Sequence, residues 1–139
     1  MSVSAKSKLF RRFHVVEDKA ENGAWVDLGE GIRFKLRRIK SKASQQVRER
    51  LNEPHIETIR AGKLSEDVAK DLLVEQLARG VIADWEGVQD PETGELVPYS
   101  AETAVAFLKA LPDLAEEIFQ HAISRDVFQE KMQDDAVKN

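Results

Sequence analysis

The chain has 139 residues and no cysteine, with 42% hydrophobic and 33% charged side chains, 4 prolines and 7 glycines. That balance excludes a disordered or collagen-like chain and suits one soluble folded domain, which at this size buries about two thirds of its unfolded surface without staples. A lack of cysteine removes disulfides, thiolate nucleophiles and cysteine-held zinc or iron–sulfur sites, and no apolar run approaches the roughly 20 residues of a membrane-spanning helix.

The net charge of −4 hides a division. Residues 1–64 carry 15 Lys/Arg against 8 Asp/Glu, whereas residues 65–139 carry 6 against 17. Opposite halves of this kind are satisfied inside one fold, between copies, or by a partner. The first residues, Met1 to Arg12, are positively charged but lack the apolar stretch of a secretory signal, so the chain is expected to stay in the cytoplasm where it is made.

In chain order, residues 1–23 show no sustained period and read as a loose arm or short strand followed by a turn. Trp25 to Leu28, Gly29-Glu30-Gly31, and Ile32 to Arg37 read as a β-hairpin. Ile32, Phe34 and Leu36 alternate with Arg33, Lys35 and Arg37, so a period of two sets an apolar face against a cationic one. A two-stranded ribbon is barely stable alone and must lay its apolar face on something. From Ser41, an N-cap, the spacing becomes helical through Ala43, Val47 and Leu51. Pro54 opens a short second helix that ends at Gly62. A third starts at Ser65, with Glu66 and Asp67 in its dipole-favoured first turn, and carries Val68, Leu72, Leu73, Leu77 and Val81. Gly80 weakens its last turn, so its end falls before or after Trp85. Asp90-Pro91-Glu92-Thr93-Gly94 is turn chemistry. Ser100 caps a helix with Ala104, Phe107, Leu108 and Leu111, and Pro112 begins the last helix, whose apolar stripe runs from Leu114 to Phe128. Residues 133–139 are expected to fray.

The fold class that follows is α+β and mainly α, an N-terminal β-hairpin packed on a bundle of about five helices. Residues 1–62 form an arm, a basic hairpin and short helices. Residues 63–139 form an acidic helical region, and the whole is expected to be one compact domain.

No enzyme motif is present: no Gly-Lys-Ser/Thr phosphate loop, Gly-x-Gly-x-x-Gly, Gly-x-Ser-x-Gly or His-Glu-x-x-His. His14, His55 and His121 lack metal-ligand spacing, and the neighbouring pairs Glu116-Glu117 and Asp134-Asp135 do not face one another on a helix. The expectation is therefore a non-enzyme with no catalytic residue, cofactor or metal. Arg33, Lys35, Arg37, Arg38, Lys40, Lys42, Arg48 and Arg50 crowd together and give nucleic-acid binding as a rival reading, opposed by the acidic half. Arg33, Lys35, Arg37 and Arg38 are otherwise an electrostatic interface or simply solvated cations. Among the aromatics, Phe107, Phe119 and Phe128 at helical spacing favour core over interface. Trp85 and Tyr99 flank a loop and are better placed to line a groove.

The motifs Asp84-Trp85-Glu86-Gly87-Val88, Asp90-x-x-x-Gly94, Val97-Pro98-Tyr99-Ser100, and Pro112-Asp113-Leu114 with Ala122 and Phe128 resemble the small tail assembly chaperones of long-tailed bacteriophages. The segment Trp25, Gly31, Arg33-Phe34-Lys35 is compatible with them, and the resemblance covers about the last 75 residues well. It implies a factor in the host cytoplasm, from phage or prophage, that binds the long helical tape measure protein, helps tail-tube subunits gather round it, and is absent from the virion. On that reading Trp85, Tyr99, Phe107, Phe119 and Phe128 bind the partner. Tail-tube protein and a sister copy are further partners, and a structural tail or head-completion protein is the third alternative.

Overall fold

The computed structural model describes residues 4–130, so the expected fraying at 133–139 lies outside the described residues. Helix α1 (Lys8–Phe13) and helix α2 (Glu17–Asn22) precede strand β1 (Ala24–Gly29) and strand β2 (Ile32–Leu36). Helix α3 (Lys42–Asn52), a 3-10 turn (Glu53–His55) and helix α4 (Ile56–Arg60) follow. Helix α5 (Glu66–Gln76) runs into a π-helical turn (Leu77–Val81) and then strand β3 (Ile82–Glu86). Helix α6 (Ala101–Ala110), helix α7 (Pro112–Ile123) and a 3-10 turn (Arg125–Phe128) complete the order. The α+β, mainly helical reading holds, with the hairpin on five helices from residue 41 onward.

Serine caps start four of these helices. The hydroxyls of Ser7, Ser41, Ser65 and Ser100 accept the amides of Phe10, Ser44, Val68 and Thr103, each at 3.1–3.3 Å and each from an extended cap residue. An N-terminal turn has amides with no partner of its own, and these hydroxyls satisfy one of them each time. The hairpin turns through Glu30 (φ 55°) and Gly31 (φ 81°), the pair of positive φ values that a two-residue turn between right-twisted strands requires.

Three sequence readings need correction. The stretch before Gly23 is two short helices rather than a loose arm, because the Ser7 cap and the acidic first turn of α2, Glu17-Asp18, supply local helix signals that apolar periodicity misses. The third predicted helix ends before Trp85, one of the two ends expected, but an unexpected strand follows it. The helix loosens into the π turn and turns to strand at Ile82, which pairs antiparallel with β2 and makes a three-stranded sheet ordered β1-β2-β3. The last stripe is not one helix: α7 ends at Ile123, and a separate 3-10 turn carries Phe128 into the core.

The π turn is the structural centre, with α3, α5, α6, α7 and β3 all packed on it. Gly80 sits there because a Cβ would stand 2.9 Å from the Ser44 Cα and 3.2 Å from the Val47 Cβ on α3. Beside it the buried Gln76 amide donates to the Ser44 hydroxyl at 2.9 Å, which settles two polar groups at the α3–α5 contact. Leu77, Ala78 and Val81 from the turn, Phe34 and Leu36 from β2, Ile82 and Trp85 from β3, and Ala104, Leu108, Ile118 and Ala122 from α6 and α7 form one buried core.

Candidate functional site

The core-facing side of the sheet meets an aromatic cluster. Trp85 lies opposite Phe34 in the β2–β3 register, with ring centroids 5.5 Å apart, and meets Tyr99 edge-on at 5.2 Å and Phe107 edge-on at 6.0 Å. The polar tips are bound as well. The Trp85 indole donates to the Val97 carbonyl at 2.9 Å, and the Tyr99 hydroxyl donates to the Ala78 carbonyl at 2.6 Å. Half-burial raises the Tyr99 phenol above its ordinary value, since the apolar surroundings disfavour phenolate. A π-helical turn strands backbone carbonyls that an α-helix would bind; Tyr99 takes the one at Ala78, and Arg37 donates to the one at Gly80 at 3.3 Å.

This changes the expected use of Trp85 and Tyr99. Trp85 does flank the loop, next to the end of β3, but at 5% exposure it belongs to the core and forms no groove wall. Tyr99 is half-buried and closes the same cluster. Phe128 is fully buried, and its carbonyl accepts the Val16 amide at 2.8 Å, tying the C-terminal turn to the N-terminal helices. Phe107 is half-buried, shared between the cluster and a surface hollow. Phe119, also half-buried, lies elsewhere, in the wall of a groove.

That groove separates α5 from α7. Each of the two helices packs on α6, yet between them a gap of about 500 Å³ stays open, floored by the buried Leu77 and Leu108. Leu73 and Val74 wall it on one side, Ala115 and Phe119 on the other. Along α5 and into the π turn the lining runs from Lys70 to Leu77, and on α7 from Pro112 to Phe119, in each case about 10 Å of helix at the usual rise. Two turns of a foreign helix match that length. Lys70 and Lys109 stand at the rim with Asp71 and Glu116, so the apolar floor has an edge of both signs. The sequence carried the signal, since Leu72-Leu73-Val74 is wider than a single stripe facing α3 needs, but it did not show which of those side chains the π turn would leave uncovered.

The basic hairpin face is not a bare stripe of cations. Across the three strands Arg33 stands between Asp27 and Glu86, and Lys35 between Trp25 and Asp84. Arg33 reaches Glu86 at 3.3 Å and lies 4.6 Å over the Trp25 ring. The alternation seen in β2 is thus matched by acids on β1 and β3. Arg38 anchors its strand end by backbone, its amide donating to the Ala20 carbonyl at 2.9 Å. No helix among the described residues is long and apolar enough to cross a membrane.

The model of a family described as "YdaY prophage protein" matches residues 39–139. Protein YdaY of Escherichia coli (strain K12) is 37% identical over 79 residues, which span 55% of this chain and 66% of that protein. No solved structure matches the chain. The family match begins after β2, so the hairpin that contributes Phe34 and Leu36 to the core lies upstream of it.

Proposed function

We propose, given that the chain belongs to the YdaY prophage protein family, that it is a tail assembly chaperone whose α5–α7 groove holds an amphipathic helix of the phage tape measure protein. The observation that carries this reading is the groove: two turns long, floored by leucine, and walled by Leu73, Val74, Ala115 and Phe119. An amphipathic helix buries its anchors at i, i+3 or i+4, and i+7 in a trough of this form. A long client with many such turns would load several copies, and modest affinity per site adds up along it. The prophage family and the resemblance of the segment from Trp85 onward support the phage assembly context. In that role the protein acts in the host cytoplasm, delivers the client to tail-tube subunits and leaves before the virion is complete.

Co-expression with the tape measure protein is the test. The client should move from the pellet to the soluble fraction with the wild-type chain and stay in the pellet with the Leu73→Asp, Phe119→Asp double variant. Equal client solubility with and without the wild-type chain would defeat the proposal.

A further inference from the structure

Helix α1 presents an exposed apolar stripe. Leu9 is 70% exposed and Phe13 52%, one turn apart on the same side of the helix. Lys8 and Arg12, also one turn apart, flank that stripe, and Arg11 adds a third cation. Among the described residues the helix is held at its base: the Gln129 side-chain amide donates to the Arg12 and His14 carbonyls at 2.7 and 3.1 Å, and the Arg125 guanidinium lies 4.4 Å over the Phe13 ring. Leu9 and the cations project beyond those contacts.

A second surface carries the opposite pattern. Between the hairpin and the α6–α7 corner lies a hollow of about 460 Å³ lined by Leu28, Ile32, Phe107, Leu111 and Leu114, with Leu111 48% exposed. The charged side chains lining it, among the described residues, are Asp113 and Glu117. They too stand one turn apart on a helix, α7, alongside Leu114. An apolar pair flanked by two cations faces its complement: an apolar floor flanked by two acids at the same spacing.

We propose that α1 of one copy docks in the hairpin–α7 hollow of a second copy, with Leu9 and Phe13 on Leu111 and Leu114, and Lys8 and Arg12 beside Asp113 and Glu117. The two surfaces differ, so the contact is head-to-tail and adds copies in a ring or a row. It uses neither wall of the α5–α7 groove, and it stands whether or not the client is a tape measure helix. It also explains why a basic and an acidic part coexist in one chain with a single ion pair, Arg33–Glu86, recorded between them among the described residues.

Sedimentation velocity of the full chain over a concentration series tests this. The wild-type chain should form larger species as concentration rises at low salt and return to monomer at high salt, where exposed charges are screened. Lys8→Glu with Arg12→Glu, and separately Asp113→Arg with Glu117→Arg, should each weaken self-association about ten-fold, and the chain carrying all four reversals should regain it. Leu9→Asp should abolish it; since Leu9 is 70% exposed, its far-ultraviolet circular dichroism should match wild type. A wild-type chain monomeric at every concentration would overturn the proposal, as would association that neither reversed pair weakens. Loss in both reversed pairs without recovery in the combined chain would overturn the pairing as well.

Discussion

The aromatic cluster around Trp85 and the groove between α5 and α7 are built from similar side chains and differ in what remains for a partner. In the cluster every large ring touches another, and the indole and phenol tips are bound to the Val97 and Ala78 carbonyls. In the groove, Leu73, Val74 and Phe119 are partly exposed over an apolar floor. A conspicuous tryptophan therefore marks the place where the fold is held together, and an ordinary leucine pair marks the place open to a guest. Substitutions at the two places should separate stability from binding.

The largest stability loss is expected in the cluster. Trp85→Ala should cost about 3–5 kcal/mol, the usual range for truncating a buried aromatic, and urea melts should place it far below every groove variant. Gly80→Ala comes next at about 1–3 kcal/mol, because the new methyl must push α3 away from the π turn at Ser44, which is backbone and cannot swing aside. Tyr99→Phe should cost about 1–2 kcal/mol by leaving the Ala78 carbonyl without its donor. It should also change the alkaline response. The folded phenol titrates above the unfolded one, so its contribution is intact below the unfolded value of about 10 and is lost as pH rises through the folded value. Wild type should lose stability across that window, and Tyr99→Phe should lose less. At the groove, Leu73→Asn should cost only about 1 kcal/mol, since the side chain is only partly buried, while client binding falls much further. Smallest of all, Arg33→Ala should shift the melt by less than about 1 kcal/mol, because its ion pair with Glu86 is exposed at both ends.

Much of this architecture was legible in the sequence where a local rule and a tertiary need agreed. Ser41, Ser65, Ser100 and Pro112 start helices because capping chemistry acts within four residues. Ile32, Phe34 and Leu36 show a strand because one face of it had to be dry. The π turn and β3 escaped notice for a physical reason. Leu73, Leu77 and Val81 keep helical spacing, and only the close approach of α3 at Gly80 and the waiting edge of β2 make the chain leave the helix. The same hidden strand moved Trp85 from an expected groove wall into the core. The acids that stand beside the hairpin cations, Asp84 and Glu86, sit on that strand too, so the basic patch looked freer in one dimension than it is in three. The open groove was the least legible feature, because it arises from where α5 and α7 fail to meet and no residue pattern encodes a gap directly.

Methyl-group nuclear magnetic resonance of the full chain, titrated with an amphipathic helical peptide from the tape measure protein, tests the central claim most directly. The account predicts shifts concentrated on Leu73, Val74, Leu77 and Leu108, with Val26, Leu36 and Val81 of the sealed core unmoved. Shifts centred on the residues around Trp85 and Tyr99, or no shifts at saturating peptide, would contradict it.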